Sequence, residues 1–281
     1  MAGTETVDGL CDSLSVSRSG YYKWLNTQES QRQQEELRLR IRIKEVHQES
    51  QENYGRPRIH AALKKEGIRC GHNRVGRIMK ECGLFGAQKR RFRPKTTVQD
   101  PEGIRLPNLV PDVVIEPKTV VVTDITYLAT KDGWRYLSAV MDLGSRRILG
   151  WALGSDLKTP LVEASLKKSL QISGNLKDWI HHSDKGCQYT STDYQKLLKD
   201  YGLKGSMSGT GNCYENAAME SFWSTLKAEL IRGRVYETEA ELRRALFHYI
   251  EVFYNRKRLH SSLGFITPME YEEQFKLKLA A

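Results

Sequence analysis

No apolar run in the 281 residues approaches 18, which excludes an obvious membrane-spanning helix, and no signal peptide is visible. Proline is scarce: there are eight, and five of them (94, 101, 107, 111 and 117) fall in one short stretch. Cysteine is scarcer still, with five residues (11, 70, 82, 187 and 213), an odd number, and no C-x-x-C pair. That usage excludes a secreted disulfide framework and fits a reducing, intracellular compartment. His60, Cys70, His72 and Cys82 match no common zinc-module spacing and are read as scattered core and surface residues. A sustained heptad repeat is also missing, so no long coiled coil is expected. The chain is expected to be soluble and cytoplasmic, with no membrane partner.

What the chain does have is positive charge, unevenly spread. The formal net charge is +10, and residues 1–100 carry 20 Lys and Arg against 12 Asp and Glu, a net +8. A basic module ahead of a nearly neutral one suggests a nucleic-acid-binding part joined to another function, the plainer reading being a solvated basic surface. Residues 7–26 read as two short helices, with Val16-Ser-Arg-Ser-Gly as the turn and entry of a helix-turn-helix, and 30–50 as one long charged helix. Pro57 opens a helix that Gly67 closes. A further helix over 73–82 puts Val75, Ile78, Met79 and Cys82 on one stripe and leaves Asn73, Arg74, Arg77 and Lys80 largely off it. That is the arrangement of a recognition helix, and equally of a solvent-facing basic helix. Lys89, Arg90, Arg91 and Arg93, with Phe92 among them, suit either phosphate contacts or a basic linker. The prolines then mark 96–118 as linker.

From 119 the pattern turns to strands. Three β-branched and aromatic runs over 119–153 predict a meander. Helices and short strands then alternate: a helix near 160–172, a strand over 179–182, a helix over 193–201 and a strand over 203–207. A long helix begins near Asn216, and another spans 237–254. This order predicts an α/β, RNase H-like core at 119–235, with an all-α helix-turn-helix region at 1–95 and a helical tail at 236–281.

Three acids fall at informative places in that order. Asp124 lies mid-strand, Asp184 just beyond a strand end and Glu220 in the first turns of a helix, with 35 residues between the last two. Carboxylates converging from three elements repel unless cations neutralise them, and a two-ion site for phosphodiester chemistry needs such shared oxygen ligands. Taken singly, an Asp in a strand or a Glu at a helix start is more often structural. Lys227 shares a face with Glu220 at helical spacing and is read as a DNA contact or as a surface lysine. Asn212, Tyr214 and Asn216 in the preceding loop either bind phosphate and sugar or form the turn.

The text around these acids is specific. Asp-Ile-Thr-Tyr (124–127), His-Ser-Asp-Lys-Gly with Gln-Tyr-Thr-Ser (182–191), and Gly-Asn-Cys-Tyr-Glu-Asn-Ala-Ala-Met-Glu-Ser-Phe (211–222) resemble the DDE transposases of bacterial insertion sequences. The nearest type is the OrfB product of the two-reading-frame kind, related to retroviral integrases. Val16-Ser-Arg-Ser-Gly-Tyr-Tyr, Tyr54-Gly-Arg-Pro-Arg-Ile-His60 and Tyr254-Asn-Arg-Lys-Arg-Leu-His260 carry the resemblance over about 7–273. It departs from the family pattern at Val121, at Gly209-Thr210 and at Cys187. The resemblance implies that Asp124, Asp184 and Glu220 are the catalytic and metal-binding triad for two Mg²⁺ ions, with Mn²⁺ able to substitute. It implies cleavage and strand transfer on insertion-sequence ends and target DNA, by a homo-oligomer in a bacterial, nucleoid-associated setting. An OrfA partner or fusion is expected from the same source. The rival readings are a catalytically silent DNA-binding regulator of transposition and a plain nuclease.

Overall fold

The computed structural model describes residues 6–26, 30–88, 104–174, 176–208 and 217–280. Five helices come first: α1 (Val7–Ser13), α2 (Arg18–Asn26), α3 (Gln31–Glu49), α4 (Arg56–Lys65) and α5 (His72–Glu81). The α3 start is fixed by a reciprocal cap, in which Ser30 Oγ accepts from Gln33 N (3.3 Å) and Gln33 Oε1 accepts from Ser30 N (2.8 Å). Pro57 stands in the first turn of α4. Gly67 and Gly83, just beyond the ends of α4 and α5, take positive φ, the conformation that lets a helix turn out of its last turn.

The sheet follows: β1 (Val120–Thr130), β2 (Gly133–Asp142) and β3 (Ile148–Gly154). After α6 (Thr159–Ser173) come β4 (Ile180–Ser183), α7 (Cys187–Thr190), α8 (Thr192–Asp200) and β5 (Lys204–Met207). The strand order is β3-β2-β1-β4-β5. The first three strands pair antiparallel as a meander, and β4 and β5 join β1 in parallel through helical crossovers. This mixed sheet with helices on both faces is the α/β, RNase H-like core predicted above. Asp142 closes the β2–β3 turn, accepting from Lys118 N, Gly144 N and Ser145 Oγ.

One sheet face packs on α6 and α8, where Val162, Leu166, Tyr194 and Leu198 are buried. Approach there is close: a methyl added at Gly150 would stand 2.4 Å from Ser165 O. The other face carries Val120, Val122 and Ile180 into a larger core with α9 (Ala217–Leu226), α10 (Glu239–Phe247) and Leu259. Ile43, Ile59, Leu63, Val75 and Ile78 of the N-terminal helices belong to that same cluster. The chain ends in α11 (Pro268–Ala280).

Two features have no counterpart in the sequence reading. α9 and α10 each run on into a π-helical stretch, Lys227–Ile231 and His248–Tyr254. The proline-rich segment, where described, is docked along the edge of the sheet. Leu109 N donates to Ser206 Oγ (2.9 Å), Met207 N donates to Pro107 O (3.3 Å), and Val110–Asp112 forms a 3-10 turn.

Candidate active site

The parallel register builds the centre of the site. Val120 pairs with Ile180 and Val122 with His182. Two residues further along β1 stands Asp124, on the face that meets α9 because side chains alternate with period two, and two residues past His182, just beyond the end of β4, stands Asp184. Asp124 is held firmly: its Oδ1 accepts from Ile125 N (2.8 Å) and its Oδ2 from Trp223 Nε1 (3.0 Å). Asp184 Oδ1 accepts from Gly186 N (2.9 Å), which fixes the turn leading into α7. Glu220, in the first turn of α9, is exposed. Trp223 lies one turn beyond it and Lys227 two, so the three share a helix face directed at Asp124.

The electrostatics are those of crowded acids. Burial pushes the Asp124 carboxyl up to about 7, Asp184 adds to that rise and Glu220 adds less, while the bonds from Ile125 and Trp223 oppose it. The Tyr189 hydroxyl, buried beneath, is driven well above its ordinary value by burial and then by Asp124 and Asp184. Lys227 is pushed down by its own burial, while the charge of Asp124 pulls it up.

The structure therefore brings Asp124 and Asp184 together, with Glu220 at the rim and Lys227 on the continuation of the helix that faces Asp124. Among the described residues no three His, Cys, Asp or Glu side chains are gathered closely enough to hold a metal ion as they stand. The donor set nevertheless suits a hard divalent cation: it is all carboxylate oxygen, and the repulsion that raises Asp124 is what such a cation would relieve.

The remaining candidates fare differently. Asn212, Asn216, Lys89, Arg90, Arg91 and Arg93 lie outside the described residues. On α5, Arg77 pairs with Glu36 of α3 (3.0 Å) and with Glu81 (2.8 Å), and Arg74 reaches the same Glu36 (3.5 Å). Lys80 is exposed. Trp223 was not singled out from sequence, where an apolar residue three places after Glu220 on the same helix reads as core.

A fold of this strand order, with one acid within the central strand β1, one just past the end of β4 and one on the facing helix, is that of an integrase-type core. Residues 115–213 and 220–275 match integrase core domain families, and residues 33–92 match an HTH-like domain. The chain is 39% identical over 268 residues to an uncharacterized 31 kDa protein of insertion element IS600 from Shigella sonnei, covering 95% of this chain and 98% of that protein. It is 34% identical to transposase InsF for insertion sequence IS3A of Escherichia coli, covering 96% and 94%. Among solved structures it is similar to a chain of the simian T-cell lymphotropic virus intasome in complex with PP2A regulatory subunit B56 gamma (16% identity, TM-score 0.48, 82% of this chain and 73% of that one). The chain belongs to the insertion-sequence transposases of the integrase superfamily. No helix among the described residues is long and apolar enough to cross a membrane.

Proposed function

We propose that the protein cuts DNA at the ends of an insertion sequence and joins the freed 3′-OH to target DNA, with Asp124, Asp184 and Glu220 as its metal-binding catalytic residues. The observation that supports this most is the state of Asp124, a part-buried carboxyl raised to about 7 by burial and by its two acidic neighbours. A carboxylate crowded in this way by burial and by other acids is typical of functional sites.

The three carboxylates would hold two Mg²⁺ ions, with Mn²⁺ as substitute. When bound, such ions activate the attacking oxygen and stabilise the departing one. The chain's own groups set the rest. Ile125 N and Trp223 Nε1 hold Asp124 in one orientation, so its oxygens need not reorganise during reaction. Gly186 N does the same for Asp184. Lys227 offers a cation to a DNA phosphate next to the reacting one. No covalent protein intermediate is needed, because water serves as nucleophile for cleavage and the DNA 3′-OH for transfer.

In this reading residues 1–95 bind DNA, 96–118 connect, 119–235 carry the chemistry and 236–281 form the tail. The partners are insertion-sequence ends and target DNA, a second copy of the chain to bring two ends together, and an OrfA portion. The test is strand transfer with the element's terminal DNA and Mg²⁺ or Mn²⁺. Joined product is expected from the wild type, and it should disappear in Glu220→Gln, Asp124→Asn and Asp184→Asn with folding intact. A folded wild type that binds DNA without joining it, even when OrfA is added, would instead make it a silent regulator.

A further inference from the structure

Two rows of residues at i, i+4, i+8 spacing face each other across the seam between α4 and α5. One row is Arg56, His60 and Lys64. The other is His72, Gly76 and Lys80. They run in opposite directions, because His60 meets His72 with ring centroids 5.4 Å apart while Arg56 lies across Gly76. A methyl added at Gly76 would stand 2.6 Å from Arg56 Cδ and 3.3 Å from its Nη1, so the missing side chain is what lets the arginine lie there. Burial, then Arg56, then His60 hold the His72 ring below its ordinary value, so the Arg56 charge is felt at the floor of the seam.

The two flanks of α5 differ in charge balance. On the α3 side, Arg74 and Arg77 are matched by Glu36 and Glu81. On the α4 side, Arg56, Lys64 and Lys80 are all exposed, and among the described residues none has an acidic partner. Arg56 to Lys64 alone covers eight residues of helix, about 12 Å. A DNA strand presents one phosphate about every 3.4 Å of its axis, so such a row meets several.

We infer that the α4–α5 seam, with Arg56 seated on Gly76 between Lys64 and Lys80, is the surface of the helical region that grips the DNA phosphate backbone. Arg74 and Arg77 instead tie α5 to α3. This rests on the DNA-binding reading given above. It also gives a role to Arg56 and its neighbours in Tyr54-Gly-Arg-Pro-Arg-Ile-His60, a motif the active site does not use.

The full chain can be titrated with fluorescein-labelled duplex DNA of arbitrary sequence over a series of salt concentrations, reading anisotropy. Arg56→Gln and Lys80→Gln should each take about 0.9 from the slope of log affinity against log salt, as loss of one phosphate contact requires. Gly76→Ala should weaken binding by unseating Arg56, with an unchanged melting temperature showing that the fold holds. The charge-neutral double change Glu36→Gln with Arg77→Gln should leave the slope as it was. Wild-type binding with an unaltered slope in Arg56→Gln would overturn the seam assignment alone. A wild type that binds no duplex at any salt would overturn the DNA-binding reading and the seam with it.

Discussion

Asp124 shows how a single side chain can carry a functional argument. Its carboxyl sits at about 7 in the folded protein against an ordinary 3.8. As pH rises, the unfolded chain therefore loses this proton first, and folding must hold on to it. Stability of the metal-free protein is expected to fall between about pH 4 and about pH 7, and the Asp124→Asn variant should lack that fall. The loss should appear as a fall in melting temperature of up to about 8–16 °C, because holding to about pH 7 a proton that the unfolded chain releases near 3.8 is worth at most about 4 kcal/mol, and 1 kcal/mol moves a protein of about this size by about 2–4 °C. Added Mg²⁺ should raise the melting temperature more at pH 8 than at pH 5, because it competes with the proton. A wild-type melting profile that stays flat over this range would mean that the acids are not crowded. In the sequence these acids stood out through their flanking motifs and their places in the order of strands and helices. Trp223 did not, because an apolar residue in a helix is ordinarily read as core, and only the folded register shows its ring nitrogen at Asp124. Arg74 and Arg77 were visible as basic residues off an apolar stripe. Their neutralisation by Glu36 lies on another helix, about 40 residues away in sequence, where periodicity gives no view.

At the scale of elements, the order of helices and strands was legible because each has a clean period and a punctuating residue such as Pro57, Gly67 or Gly83. The π-helical stretches were not, since nothing in a helical pattern marks an inserted residue. They cluster around one buried contact. Glu229, in the stretch after α9, accepts from Arg258 Nε (2.8 Å) and Nη2 (2.7 Å) and from Tyr249 Oη (2.9 Å), the tyrosine lying in the stretch after α10. The paired side chains are only 3% and 5% exposed. π-helical turns are often found at functional sites, and here the first continues the helix bearing Glu220 and includes Lys227. Removing one member of a buried pair leaves an uncompensated charge, so Arg258→Ala should cost about 3–5 kcal/mol in urea denaturation. The double change Glu229→Met with Arg258→Met should cost clearly less. Equal losses would mean that the pair is not isolated from solvent as described.

For the whole molecule, the sequence predicted a helical region, a linker and a core, but not how the helical region meets the core. The meeting is made by residues too far apart in the chain for any local pattern. Tyr54 Oη donates to Lys257 O (3.0 Å) and accepts from Leu259 N (2.7 Å), Arg58 Nε donates to Leu259 O (3.0 Å), and Arg232 Nη2 donates to Asn53 Oδ1 (2.9 Å). Tyr54→Phe should leave the Leu259 amide without its partner. Hydrogen exchange there should speed up, while amides in β1 and β2 stay protected. Unchanged exchange at Leu259 would show that the seam does not depend on the hydroxyl.

The same contact governs when the protein can be finished. Tyr54 and Leu259 are 205 residues apart. At about 5–20 residues per second, the helices α3 to α5 leave the ribosome about 10–40 s before their partner segment of the tail exists. Throughout that interval Ile59, Leu63 and their neighbours lack the far side of the cluster they share with Leu246, Ile250 and Leu259. A nascent chain stalled or cut short before the tail thus exposes a sticky, half-covered face, a natural target for chaperones and proteases. The circuit between the helical region and the core closes only once Leu259 and its neighbours have been made.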